Sequence, residues 1–153
     1  MKASRAGVTL IELMVVVSLL GLAAAISFPS VTSGLDSLRL TSASGSVASF
    51  LNGGLNRAER KQQVMEITLS KTDNALFLRS AEPGFVRRLD LPEGVSIVKV
   101  HPETPATLNS ESVSFLVHPG GAIPRIGVEL ANRKGVHRIV SVDPITGVPR
   151  VAP

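Results

Sequence analysis

Few residues in this chain are of types that do chemistry, and their spacing keeps them apart. His101, His118 and His137 lie in three separate segments, with no His-x-x-His or Glu-x-x-His spacing to seat a metal. Each reads as a surface or turn histidine. There is no cysteine, which excludes a thiolate nucleophile, a disulfide framework and cysteine-ligated metal. No Gly-x-Ser-x-Gly elbow and no phosphate loop ending in Gly-Lys-Ser/Thr occurs, Gly120-Gly121 reads as a turn, and no pair of carboxylates is marked for acid–base work. The pattern predicts a protein that is not an enzyme and holds no cofactor or metal. One carboxylate differs from the rest. Glu12 is the single charge in the apolar run from Val8 to Phe28, where an acid costs up to about 2.5–3.5 kcal/mol at mid-membrane and is usually paired. Its chemistry would be charge pairing.

The element that carries Glu12 is the apolar run itself. As a helix rising about 1.5 Å per residue, Val8–Phe28 would cross a hydrocarbon core roughly 30 Å thick. Lys2 and Arg5 precede it, which puts the short N-terminal tail in the cytoplasm and the remainder on the far side. A cleaved secretory signal is the competing reading, since Ala23-Ala24-Ala25 offers a small-x-small cleavage site. Against it stand the length of the run and the acid near its start.

Gly7-Val8-Thr9-Leu10-Ile11-Glu12 resembles the prepilin peptidase site of type IV pilins and type II secretion pseudopilins. The resemblance implies a cut between Gly7 and Val8, N-methylation of Val8, and Glu12 as the fifth mature residue. Val8 stands where most members have phenylalanine; the glycine and the glutamate both match. Pro29 also matches a proline often found in the family helix. By the same resemblance, the Glu12 carboxylate of one subunit meets the Val8 amine of a neighbour and sets the register of a fibre. The plainer alternative pairs Glu12 with its own terminus or lets it snorkel to the interface.

Beyond Pro29, which would kink a helix running through it, Val31, Leu35, Leu38, Val47, Phe50, Leu51, Leu55 and Ala58 recur near steps of three and four, with a polar gap around 41–46. This predicts an amphipathic helix to about Gln62, whose glycines 34, 45, 53 and 54 would allow bending or close contact between helices. From Val64 the signals turn to short Val- and Ile-rich strands: 64–69, 75–79, 85–91, 95–100, 113–117, 126–130 and 136–142, with 102–112 as a loop. Without crossover helices the strands should pair mainly antiparallel. The expected fold is α+β, a long N-terminal helix on a mainly antiparallel β-sheet domain. It divides into a leader (1–7), a transmembrane and assembly helix (8–29), an amphipathic helix (30–62) and a periplasmic β domain (63–153).

Ser114–Gly121 and Arg138–Val151 are similar to the C-terminal half of GspH/FimT-type minor subunits, with a Phe-x-x-x-Gly segment and a closing strand–Gly–strand hairpin. The resemblance implies a minor pilin or pseudopilin in the bacterial inner membrane, with prepilin peptidase and other fibre subunits as partners. Lys plus Arg exceed Asp plus Glu by 16 to 12, and Lys2 and Arg5 account for half of that excess. In the last 29 residues Arg125, Arg133, Lys134, Arg138 and Arg150 stand against only Glu129 and Asp143. Gathered on one face they would bind DNA through its phosphates, an activity that the resemblance associates with uptake pilins. With no Trp or Tyr such binding would be electrostatic and sequence-independent. The competing reading is a solvated or protein-contact face.

Overall fold

The computed structural model describes residues 7–80, 84–108 and 110–153. Residues 2 and 5, the expected basic flank, lie outside them, as do the side chains of 27–33. The chain divides into two compact units, residues up to Leu35 and Asp36–Pro153. One helix, α1 (Leu10–Lys61), contributes to both. Helical backbone continues through Pro29, so the proline does not end the helix.

In the second unit α1 buries a regular stripe: Leu40, Ala43, Ser44, Val47, Leu51, Leu55 and Ala58 are almost fully enclosed. The steps of three and four keep them on one face. This corrects the expected stripe at its N-terminal side. Leu35 and Leu38 are exposed, and the polar gap is bridged by Ala43 and by Ser44. Ser44 is admitted because its hydroxyl donates to Leu40 O at 2.7 Å, so no polar group is left unpaired. Gly54 serves a contact with the sheet rather than with another helix. A Cβ there would meet Leu78 Cδ1 at 3.0 Å and Ile67 Cδ1 at 3.2 Å. The helix stops at Gln62, whose φ of 52° is left-handed. Gln63 N–H then reaches back to Ala58 O at 3.2 Å, which satisfies a terminal carbonyl.

Eight strands follow: β1 (Met65–Ser70), β2 (Ala75–Ser80), β3 (Val86–Asp90), β4 (Val95–His101), β5 (Ser112–Val117), β6 (Gly127–Asn132), β7 (His137–Val142) and β8 (Pro149–Ala152). They form two four-stranded sheets, ordered β3-β2-β1-β5 and β4-β6-β7-β8, and all the pairings are antiparallel. Alternation explains which side chains go inward. Met65, Ile67 and Leu69 are buried while Glu66 and Thr68 are not. In β4 the inward positions are Val95, Ile97 and Val100, because a bulge between Ile97 and Lys99 shifts the register by one. Inward residues from both sheets join the α1 stripe in one core. The stretch expected as a loop holds a short helix, α2 (Pro105–Leu108). Thr104 caps it, its Oγ1 accepting Thr107 N–H at 3.2 Å, with proline at the favoured first helical position.

The two sheets are tied by Asn74, in the β1–β2 turn. Its Nδ2 donates to Val95 O at 2.7 Å and its Oδ1 accepts Ile97 N–H at 3.0 Å. Its φ of 50° suits asparagine better than most residues. Asn74→Ala should therefore destabilise the chain by about 2–3 kcal/mol, since it strands two backbone groups and strains the turn. Asn74→Asp, which keeps the acceptor and the turn, should cost less. Thermal unfolding of the full chain in detergent measures both, and a loss under about 0.5 kcal/mol for Asn74→Ala would mean the bridge holds nothing.

Candidate functional site

Gly7, Val8 and Thr9 are non-helical and exposed, and α1 starts at Leu10. Thr9 sets that start. Its Oγ1 accepts Glu12 N–H at 3.3 Å and its carbonyl accepts Leu13 N–H at 3.2 Å, the pattern of an N-cap residue. Sequence reasoning missed this role, although Thr-x-x-Glu before an apolar run is its signature. Glu12 lies in the first turn, where the helix dipole favours an anion. Its side chain is exposed, and among the described residues no cation pairs with it. The peptide bond between Gly7 and Val8 thus sits in irregular, accessible backbone just ahead of the cap.

On either side of Glu12 the helix presents apolar side chains in every direction. Leu10, Ile11, Leu13, Met14, Val15, Val16 and Val17 are all exposed, Leu10 by 76% and Ile26 still by 68%. Ser18 hides its polarity by donating to Met14 O at 2.7 Å. A helix without a polar face is covered by lipid or by other helices. No helix among the described residues is long and apolar enough to cross a membrane. The apolar run with described side chains, Leu10–Ile26, has 17 residues and would span about 25 Å against a core of about 30 Å. The span expected over 8–29 includes residues 27–29, whose side chains lie outside the described ones.

Residues 2–28 match the prokaryotic N-terminal methylation motif, which is typical of type IV pilins and pseudopilins. The match is to the N-terminal segment that type IV pilin-like prepilins carry. Prepilins of this kind are processed by prepilin peptidase, associate with other pilins and are structural rather than catalytic. No curated protein and no solved structure matches the chain significantly.

Outside the N-terminal motif, the five C-terminal cations are spread over two sheet faces, the β6–β7 turn and the segment before β6. Arg133 pairs with Glu93 at 2.6 Å and Arg150 with Asp143 at 3.2 Å. Lys134 neighbours Arg133 in the β6–β7 turn, where its N–H donates to Asn132 Oδ1 at 3.0 Å. Arg138 lies opposite buried Leu130 and shares the inward face of Val140 and Val142, whereas Arg150 lies opposite Ser141 on the other face. Arg125 precedes β6, at a largely apolar cavity of about 330 Å³ that His101, Ile126 and Pro144 help to line.

The antiparallel register also brings together residues far apart in sequence. His137 Nδ1 lies 2.7 Å from Glu129 Oε1, and His101 Nε2 lies 3.7 Å from Glu129 Oε2. No group of three ligating side chains that could hold a metal occurs among the described residues. His118 lines a different cleft, beside Asn52, Asn56 and Gly147.

In the β7–β8 turn, Asp143 Oδ1 accepts the N–H groups of Ile145 at 2.9 Å and Thr146 at 3.2 Å. These bonds, and then the charge of Arg150, lower its pKa below the usual carboxylate value. A depressed folded-state pKa adds stability that is complete above the unfolded value and is lost as pH falls through the folded one. Asp143→Asn should therefore be less stable than the parent above about pH 5, with the gap closing below about pH 4. Paired melts across pH measure this; a gap that is constant with pH rules the charge out.

Proposed function

We propose that the chain is a minor pilin or pseudopilin of the GspH/FimT type, a structural subunit of a type II secretion pseudopilus or a type IV pilus. The observation that carries this reading is the prepilin motif at the head of a helix whose apolar side chains are exposed all round. Prepilin peptidase cuts between Gly7 and Val8 and the new Val8 amine is methylated. The helix then anchors the subunit in the inner membrane as a single span, with the β domain in the periplasm. During assembly the helices leave lipid for a bundle in which apolar contacts replace acyl chains. The Glu12 carboxylate of one subunit meets the Val8 amine of the next, removing two charges from apolar surroundings and fixing the offset between subunits. Pro29, lacking an N–H, interrupts the hydrogen-bond ladder and lets the helix adapt to the bundle.

Mass spectrometry of the processed chain should find methylated Val8 at its N-terminus, and a start at Ile26 or an intact Met1 would overturn the reading. Glu12→Leu should still be cut. Its incorporation into fibres should fall more than about tenfold, equivalent to about 1.4 kcal/mol of subunit contact. Incorporation at the parent level would remove the pairing from the mechanism.

A further inference from the structure

The fibre reading assigns no role to the edges of the two sheets. Sheet edges invite a further strand unless they are blunted. In the second sheet both are blunted: β4 carries its bulge beside the exposed Lys99, and β8 has four residues beginning with Pro149. In the first sheet the edges are β5 and β3; β3 has five residues, none of them proline, its charges are Arg87, Arg88 and Asp90, and it is the edge that borders a groove. Ser80 N–H donates to Phe85 O at 3.2 Å and Leu91 N–H to Asn74 O at 3.1 Å, so the pairs at both ends are hydrogen-bonded ones. Antiparallel alternation then turns Phe85, Arg87 and Leu89 toward β2 and leaves the N–H and C=O of Val86, Arg88 and Asp90 facing outward.

That edge opens onto a groove of about 490 Å³ between β3 and the α1 face bearing Ser42, Gly45, Ser46 and Ser49. A Cβ at Gly45 would meet nothing within 4 Å, so the helix side of the groove is open. Arg87 lies opposite Leu78 and shares its face, with its guanidinium 5.9 Å from the Phe50 ring centre. Arg88 points to the other face, over Phe77 and paired with Asp90 at 2.6 Å. Among the described residues two arginines and no carboxylate line the groove, so its described lining is cationic.

We propose that β3 and this groove receive an extended acidic segment of a partner protein, which adds to the first sheet as a fifth strand. Its backbone pairs with Val86, Arg88 and Asp90. Of its groove-facing side chains, a carboxylate meets Arg87 and a small apolar one packs on Leu89, two residues away. A peptide backbone matches the alternating donors and acceptors of the edge, which a phosphate chain cannot. The proposal does not depend on the fibre reading.

The test uses the full chain in detergent micelles and fluorescence anisotropy with a labelled octapeptide, Glu-Thr-Val-Thr repeated twice, whose one face alternates acid and valine. It should bind, and more weakly as salt rises. Its lysine counterpart and a version N-methylated on every internal amide should each bind at least about tenfold more weakly. Arg87→Gln should weaken binding about tenfold. Val86→Pro should do the same, because it removes an outward N–H without touching the bonds to β2 or any charge. Circular dichroism checks that Val86→Pro folds; if it does not, the N-methylated peptide makes the same test on the parent chain. Equal binding of the N-methylated peptide, no binding at millimolar peptide, or a thymidine oligonucleotide that competes for Arg87 and ignores Val86→Pro would each overturn the proposal.

Discussion

An apolar helix that shows its side chains in every direction has to be covered, and this constraint organises the N-terminal unit. Twelve large apolar residues between Val8 and Ile26 are about half exposed or more. Burying each stabilises by about 1.5–3 kcal/mol, which amounts to roughly 20 kcal/mol or more for the set. The penalty for carrying Glu12 into an apolar medium is about 3 kcal/mol, far less. The helix can therefore take a carboxylate with it, and magnitude alone does not expel the charge. What the magnitudes demand is a partner for it. The Thr9 hydroxyl already takes the Glu12 N–H, and Glu12 lends only that N–H to the cap. Its carboxylate stays outside the cap, in the place a neighbouring cation would need.

The sheet domain answers a different constraint. Its strands are short and none can be buried alone, so their inward side chains are shared in one core with the α1 stripe. Two backbone features make the sharing geometrically workable. Gly54 lets the helix approach Ile67 and Leu78 at distances a side chain would block. The β4 bulge returns Val100 to the interior after Lys99, which a strict two-residue period would have placed outward. Asn74 then joins the sheets through paired amide contacts where apolar packing has no directional hold.

Strand positions and the end of the long helix were legible in the sequence because both are local. Period-two runs between turn residues, and a stripe with basic residues before Gln62, need no knowledge of distant partners. The prepilin segment was legible for the same reason, since its signal is six consecutive residues. Less legible was everything that depends on strand order. The seven expected strands carried no indication of two sheets, so nothing could show that β4, β6 and β7 bring His101 and His137 to one glutamate. The gap at 41–46 misled through residue type. A serine that bonds its own helix behaves as a buried small residue, and Leu35 and Leu38 look like core by type and spacing although both are exposed. Thr104-Pro105 held a local helix start that turn-like composition masked.

Charge in the β domain follows from the same local logic. Arg133 meets Glu93 across the turns flanking the second sheet, and Arg150 meets Asp143 across its own hairpin. Exposed pairs of this kind contribute at most about 1 kcal/mol each. Their effect is to hold turns, and each carboxylate offsets the field of the one cation it meets. The register also sends Arg138 and Arg150 to opposite sides of the sheet. Arg87 differs in surroundings rather than in number. Among the described residues no carboxylate pairs with it, and it lies against an aromatic ring beside an open strand edge. A single cation in that setting, with directional backbone groups next to it, gives more selectivity than five that are neutralised or turned apart, because complementarity of position rather than net charge decides which partners are excluded.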